Sequence, residues 1–148
     1  MNLNRLLDTK GCAVAVALLA GCTASTASHP GDELSEGTWG GDRAGAVVQA
    51  AGVHVHVNCT KGDFPAPIAL DEDGRFSVAG SYVLRAYPVE VGPSLPAQFA
   101  GVVIGKRLTM TIAVNDTVEQ KLVVLGPVTV TFGREPQMAM CPICRQDP

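Results

Sequence analysis

The sequence predicts an all-β fold: a small antiparallel barrel of about seven or eight strands, with a two-sheet β-sandwich as the alternative, behind a signal peptide and a flexible tether. Three observations carry this. Apolar and polar residues alternate over several short stretches, as in Val53-His54-Val55-His56-Val57 and Leu108-Thr109-Met110-Thr111-Ile112. That period of two places one row of side chains on each face of a strand. Turn formers separate the stretches, among them Asp71-Glu72-Asp73-Gly74, Gly105-Lys106 and Asn115-Asp116. No segment after the leader has a convincing helical period. Short strands at such spacing favour a closed or nearly closed barrel, which also protects its edges from pairing with neighbouring molecules.

Taken in order, the chain opens with an export segment. Arg5 and Lys10 give it a positive front, and Gly11 to Ala20 form an apolar run of about ten residues, the length of a signal h-region. A spanning helix needs about twenty apolar residues, so this run is too short to cross a bilayer. It ends on Leu19-Ala20-Gly21-Cys22, which resembles the bacterial lipobox, where the cysteine thiol is acylated before cleavage. Residues 1–21 are therefore expected to leave as a lipoprotein signal peptide, with Cys22 the lipidated first residue of the mature chain. Two or three acyl chains of the palmitate kind anchor a protein stably, whereas one holds it only marginally.

Residues 22–36 are small and polar at first and read as a flexible linker. Fully stretched it spans on the order of 45 Å, at about 3.3 Å per residue. The expected location is the cell envelope, lipid-anchored at the membrane. By resemblance to other bacterial lipoproteins, the absence of Asp after Cys22 favours the outer membrane facing the periplasm in a Gram-negative source.

Residues 37–148 form the single expected domain, with a cysteine-containing C-terminal tail. Gly37-Thr38-Trp39-Gly40-Gly41 sets the only tryptophan among glycines, which commonly bend or bulge a strand. Strands are expected at Ala44 to Gln49 and Val53 to Cys59, joined by a hairpin loop in which Gly52 supplies a positive φ. Parity puts Val53, Val55, Val57 and Cys59 on the core face and His54, His56 and Asn58 on the other. Phe64-Pro65-Ala66-Pro67 and Ile68-Ala69-Leu70 read as a connection and a short apolar run. A long strand follows the acidic turn, with Phe76, Val78, Tyr82 and Leu84 on one parity and a bend at Gly80. Pro88 to Pro96 is expected to be a loop. Phe99 to Ile104 and Leu108 to Asn115 form a hairpin, and Val118 to Leu125 and Val128 to Phe132 are expected as two strands separated by Gly126-Pro127.

Composition excludes some functions. Loss of Arg5, Asp8 and Lys10 with the leader leaves nine basic and thirteen acidic residues, a formal charge of −4. No basic cluster interleaved with aromatics appears, so nucleic acid is not an expected partner.

With those residues in view, the chain resembles a family of small bacterial β-barrel lipoproteins and secreted proteins. The likeness rests on Gly37-Thr38-Trp39-Gly40-Gly41, the strand ending at Cys59, Asp73-Gly74-Arg75-Phe76 followed by Gly80 and Tyr82, the hairpin at Gly105, and a cysteine near the C-terminus. It implies a fold and a disulfide but, with no activity assigned to that family, no functional residue. Gly37-Thr38-Trp39 is also similar to the G-x-W start of lipocalins, which implies a carrier of an apolar ligand.

Export makes the cysteines candidates for disulfides. With Cys22 acylated, Cys59, Cys141 and Cys144 remain outside the leader, enough for one bridge and one leftover thiol. The favoured pair is Cys59 with Cys141, closing the early strand onto the tail, and Cys144 is the alternative partner.

Cys141-Pro142-Ile143-Cys144 also has the C-x-x-C spacing of redox enzymes, but such motifs sit at a helix N-terminus that lowers the thiol pKa, and no helix follows here. His54 and His56 are weak metal candidates: parity sets them opposite Cys59, leaving a lone pair, so no metal or other cofactor is expected. Asp71, Glu72 and Asp73 lack calcium-loop spacing and read as a solvated turn. Ser81 and Ser94 lack a nucleophile-elbow context.

With no catalytic constellation, the expected function is that of a non-enzymatic, lipid-anchored structural or binding module of the cell envelope. Its partners are the membrane, through Cys22, and either an envelope protein or a small apolar ligand. One alternative is a lipocalin-like carrier whose cavity is lined by residues such as Phe76, Tyr82 and Met110. The other is an inhibitor of an envelope-directed enzyme that inserts the Pro88 to Pro96 loop.

Overall fold

A computed structural model describes residues 32–86, 92–138 and 140–141. Cys22, Cys144 and residues 88–91 of the expected Pro88 to Pro96 loop lie outside them. Eight strands follow one another in space as in sequence: β1 (Gly37–Gly40), β2 (Ala44–Gln49), β3 (Gly52–Val57), β4 (Thr60–Phe64), β5 (Arg75–Val83), β6 (Leu95–Ile104), β7 (Arg107–Asp116) and β8 (Lys121–Phe132). Every neighbouring pair is antiparallel, and β1 pairs with β8 through Trp39–Phe132 and Gly40–Thr131. The sheet is thus a closed meander barrel, not a sandwich, and has no free edge.

Alternation fills the interior. Val53, Val55 and Val57 of β3 and Leu108, Met110, Ile112 and Val114 of β7 are buried, as their parity requires. Trp39, Tyr82 and Phe99 are the largest side chains removed from solvent. The Phe99 ring packs against both Phe64 and Phe76, with centroids 4.7 and 4.9 Å apart. Trp39 stands edge-on to Phe132 at 5.1 Å and donates its indole N–H to the Ser35 carbonyl at 3.0 Å.

The structure departs from the sequence reading in four places. First, the strand beginning at Val53 ends at Val57. Asn58 and Cys59 form a turn, and the chain reverses into β4, a strand the sequence reading does not expect and which takes in Phe64, the first residue of the expected connection. Its core signal is weak because the inward residue Gly62 has no side chain. A β-carbon there would fall 2.1 Å from the Tyr82 ring, which fills the space. Second, Lys121–Phe132 is one strand: Gly126 and Pro127 together oppose Thr111 in a β-bulge, with Gly126 at φ +98°. A bulge tolerates a proline that a regular ladder position would not.

Third, Leu95 and Pro96 belong to β6 rather than to a loop. Fourth, the folded region reaches back into the expected 22–36 linker. Leu34 is 3% exposed and lies in the core, its N–H bonded to the Ile68 carbonyl, and Glu33 bridges Ala69. The buried leucine and an isolated antiparallel bridge to the Ile68-Ala69-Leu70 segment, closed by the Leu70 N–H donating to the Asp32 carbonyl, dock this piece onto the barrel.

Candidate functional site

The interior is occupied by packed side chains, so the chemistry-bearing groups stand on the outer wall. The register of β2, β3 and β4 places them. His54 lies between Val47 of β2 and Asp63 of β4, and His56 between Gly45 and Lys61. Both histidines project outward because the alternating valines take the core face.

Asp63 Oδ1 is 2.6 Å from His54 Nδ1, and His54 Nε2 is 2.9 Å from His56 Nε2. The tautomers that satisfy both contacts have His54 donating Nδ1–H to the carboxylate and His56 donating Nε2–H to the bare Nε2 of His54. The two rings meet edge to face at 4.7 Å. Burial holds the His56 pKa below the usual imidazole value, and the charges of His54 and Lys61 add to this, while Asp63 opposes it.

The C-terminal tail builds the rest of the site. After β8 it crosses the outside of β2. Gln137 donates its N–H to the Gly41 carbonyl and accepts the N–H of Arg43, both at 2.9 Å, in a parallel bridge with Asp42. Pro136 lies against Gly45. The tail is tied down by a disulfide between Cys141 and Cys59, with Cα atoms 5.4 Å apart. A pocket of about 130 Å³ opens between the two histidines, Gly45, Val47, Pro136 and Met138.

The disulfide joins the pair favoured from the sequence, and Cys141 is therefore committed to Cys59. Cys59 sits in the β3–β4 turn rather than on the core face. His54 and His56 are brought into contact, as their spacing allows. Among the described residues, histidine, cysteine and carboxylate groups form no cluster of three placed to hold a metal.

Asp71 caps its own turn, its carboxylate accepting the N–H groups of Asp73 and Arg75 at 3.0 and 2.7 Å. Ser81 stands opposite Asp63, so the acid lies between the hydroxyl and the histidines. Activation of a serine needs the base between the hydroxyl and the acid, and here the acid takes the base's place. Asp63 and Met138 were not anticipated from the sequence. Recognition of β4 as a strand would have shown Asp63 beside His54, whereas Met138 reaches the site through a fold-dependent tail crossing.

Comparison with models of protein families, with curated proteins and with solved structures found no match.

Proposed function

We propose that this protein is a non-catalytic binding module of the cell envelope, anchored through an acylated Cys22, that recognises its ligand on the outer wall of the barrel. The observation that carries this reading is the filled interior. Phe76, Tyr82 and Met110, the residues expected to line a carrier's cavity, are at most 8% exposed and belong to one continuous core. A solid barrel has little room for an apolar guest, so its surface is left to meet partners.

That surface has the features a binding module needs. The tail is held at Gln137 by its bridge to Asp42 and at Cys141 by the disulfide, and a fixed surface loses little entropy on binding. Val118, Leu122 and Val124 are exposed apolar residues on or beside β8. Acylation at Cys22 follows from the lipobox and gives the module its address.

The test is site-specific photocross-linking in cells of the source organism, with the probe placed in turn at Val47, Leu122 and Ser77. Discrete adducts at Val47 or Leu122 are the expected result. Uniform silence at all three positions, together with turnover of a substrate by the purified chain, overturns the reading. Mass spectrometry of the mature N-terminus checks the anchor separately, with an acylated Cys22 as the expected result.

A further inference from the structure

We propose that His54, His56 and the thioether of Met138 form a copper(II) site on the outer wall, with Asp63 as the carboxylate that orients His54. The inference adds a ligand to the binding module. It rests on that reading only in treating the outer wall as the functional face, and it does not depend on acylation of Cys22.

The geometry begins with the two Nε2 atoms, 2.9 Å apart. With metal–imidazole bonds of about 2.0–2.1 Å, a single ion bound to both would subtend an N–M–N angle of about 90°. That is the tetragonal angle of Cu(II), and a tetrahedral Zn(II) site would need the nitrogens further apart. When the ion takes the place of the shared proton, His56 becomes the Nδ1–H tautomer by proton exchange with solvent, and its Nε2 lone pair is freed for the metal. No change of strand register is needed, because both side chains already converge from one face of β3.

Asp63 supplies the second observation. It takes the Nδ1–H of His54, which leaves Nε2 as the bare donor nitrogen of that ring. A carboxylate on the far nitrogen of a histidine ligand fixes its tautomer and raises its basicity. Asp63 therefore acts as a positioning residue rather than a ligand.

The third observation is the pocket beside the pair. Met138 lines it together with both histidines, held there by Pro136 on one side and the Cys59–Cys141 tether on the other. A weak axial thioether beside imidazole donors is a copper arrangement, and copper also stands highest in affinity among the divalent first-row ions for nitrogen donors. Among the described residues no third histidine, cysteine or carboxylate joins the two imidazoles as a ligand, so the thioether of Met138 is the third donor of the proposed set.

The test uses the full mature chain, purified in detergent through a histidine-free tag. It carries His29→Ala and Cys144→Ser so that neither the tether nor the remaining thiol donates. Titration with Cu(II) followed by electron paramagnetic resonance should give one equivalent with splitting from two imidazole nitrogens. That signal should vanish in the His54→Ala, His56→Ala double variant, whose circular dichroism should match the parent's because both side chains are outside the core. Asp63→Asn keeps both ligands and should weaken Cu(II) by about 10- to 100-fold. Met138→Leu should alter the axial parameters of the spectrum. Absence of the two-nitrogen signal in the parent, its persistence in the double variant, or tighter binding of Zn(II) than of Cu(II) each overturns the copper assignment, while leaving the cross-linking test of the binding module unaffected.

Discussion

A β-carbon on Gly45 would fall 2.6 Å from Pro136 Cγ, so the tail lies against β2 only because residue 45 has no side chain. The contact sets the depth of the pocket beside His54 and His56 and the path of the strap to Cys59. Gly45→Val should lift residues 134–138 off the sheet without touching the core. Overpacking of this kind costs roughly 1 to 3 kcal/mol. The expected readout is a lowered urea midpoint together with faster proteolysis after Arg134, and an unchanged cleavage rate would show that the strap does not depend on this contact.

The Cys59–Cys141 bridge closes a loop with a sequence separation of 82 residues. In the chain-entropy model a loop of that length stabilises by about 4.5 kcal/mol. Cys141→Ser should therefore lower the unfolding free energy by a substantial fraction of that amount. It should also release the tail, so that fluorescence anisotropy of a dye at Met138→Cys, in a Cys59→Ser, Cys141→Ser, Cys144→Ser background that leaves no other described thiol to label, falls relative to the same dye in the disulfide-bonded Cys144→Ser chain. A midpoint within experimental error of the parent would mean that the bridge pins the tail without stabilising the barrel.

Phe99 is fully buried between Phe64 and Phe76, whereas Leu122 is 67% exposed on β8. Both are large apolar strand residues, and burial alone separates the expected outcomes. Phe99→Ala should destabilise by about 3 to 5 kcal/mol, because a cavity replaces the ring. Leu122→Ala should shift stability by no more than about 0.5 kcal/mol, the usual range for surface sites. Equal effects in chemical denaturation would contradict the assignment of the two faces.

The same division explains how far the sequence could be read. The strict alternation of Val53 to Val57 and Leu108 to Val114 displayed β3 and β7 directly, since each buried row carries large side chains. β4 was concealed because its central inward position is Gly62, where the Tyr82 ring does the packing. β8 looked like two strands because Gly126 and Pro127 form a bulge, a feature defined by what lies opposite on β7. At the candidate site, the shared face of His54 and His56 was legible from their spacing. Asp63 depends on a cross-strand register and Met138 on a tail held by a distant cysteine, and neither relation is local in sequence.

Asp116, at the end of β7, is almost wholly buried, and its Oδ1 accepts the N–H groups of Val118 and Glu119 at 3.0 and 3.1 Å. The N–H of Glu119 is the main cause holding its pKa below the usual carboxylate value. The N–H of Val118 and the charges of Arg85 and Lys121 act in the same direction, against the effect of burial. The ionised form is thus favoured in the folded state. Its contribution to stability is present above the ordinary Asp range and is lost as pH falls through the folded-state value. Asp116→Asn should flatten the acid limb of the stability–pH curve, and an unchanged limb would assign acid sensitivity elsewhere, Glu119 being the nearest carboxylate with a lowered pKa.

Tyr82 is expected to set an alkaline limb of the stability–pH curve. Its ring fills the space left by Gly62, and its hydroxyl is 2.8 Å from Thr60 Oγ1, which in turn donates to the Val57 carbonyl at 2.6 Å. Burial pushes the phenol up to about 12, although the bonds to Thr60 and Val57 oppose the shift. The unfolded chain loses this proton near pH 10, while the folded barrel keeps it until near 12. Over that interval the native state binds more protons than the unfolded state, so stability falls as pH rises. At about 1.4 kcal/mol per pH unit, the loss reaches roughly 2 to 3 kcal/mol. Tyr82→Phe should remove the slope at a cost of about 1 kcal/mol at neutral pH for the lost hydrogen bond. A decline between pH 10 and 12 as steep in the variant as in the parent would rule Tyr82 out as its source, since the other tyrosine, Tyr87, is unchanged in both chains.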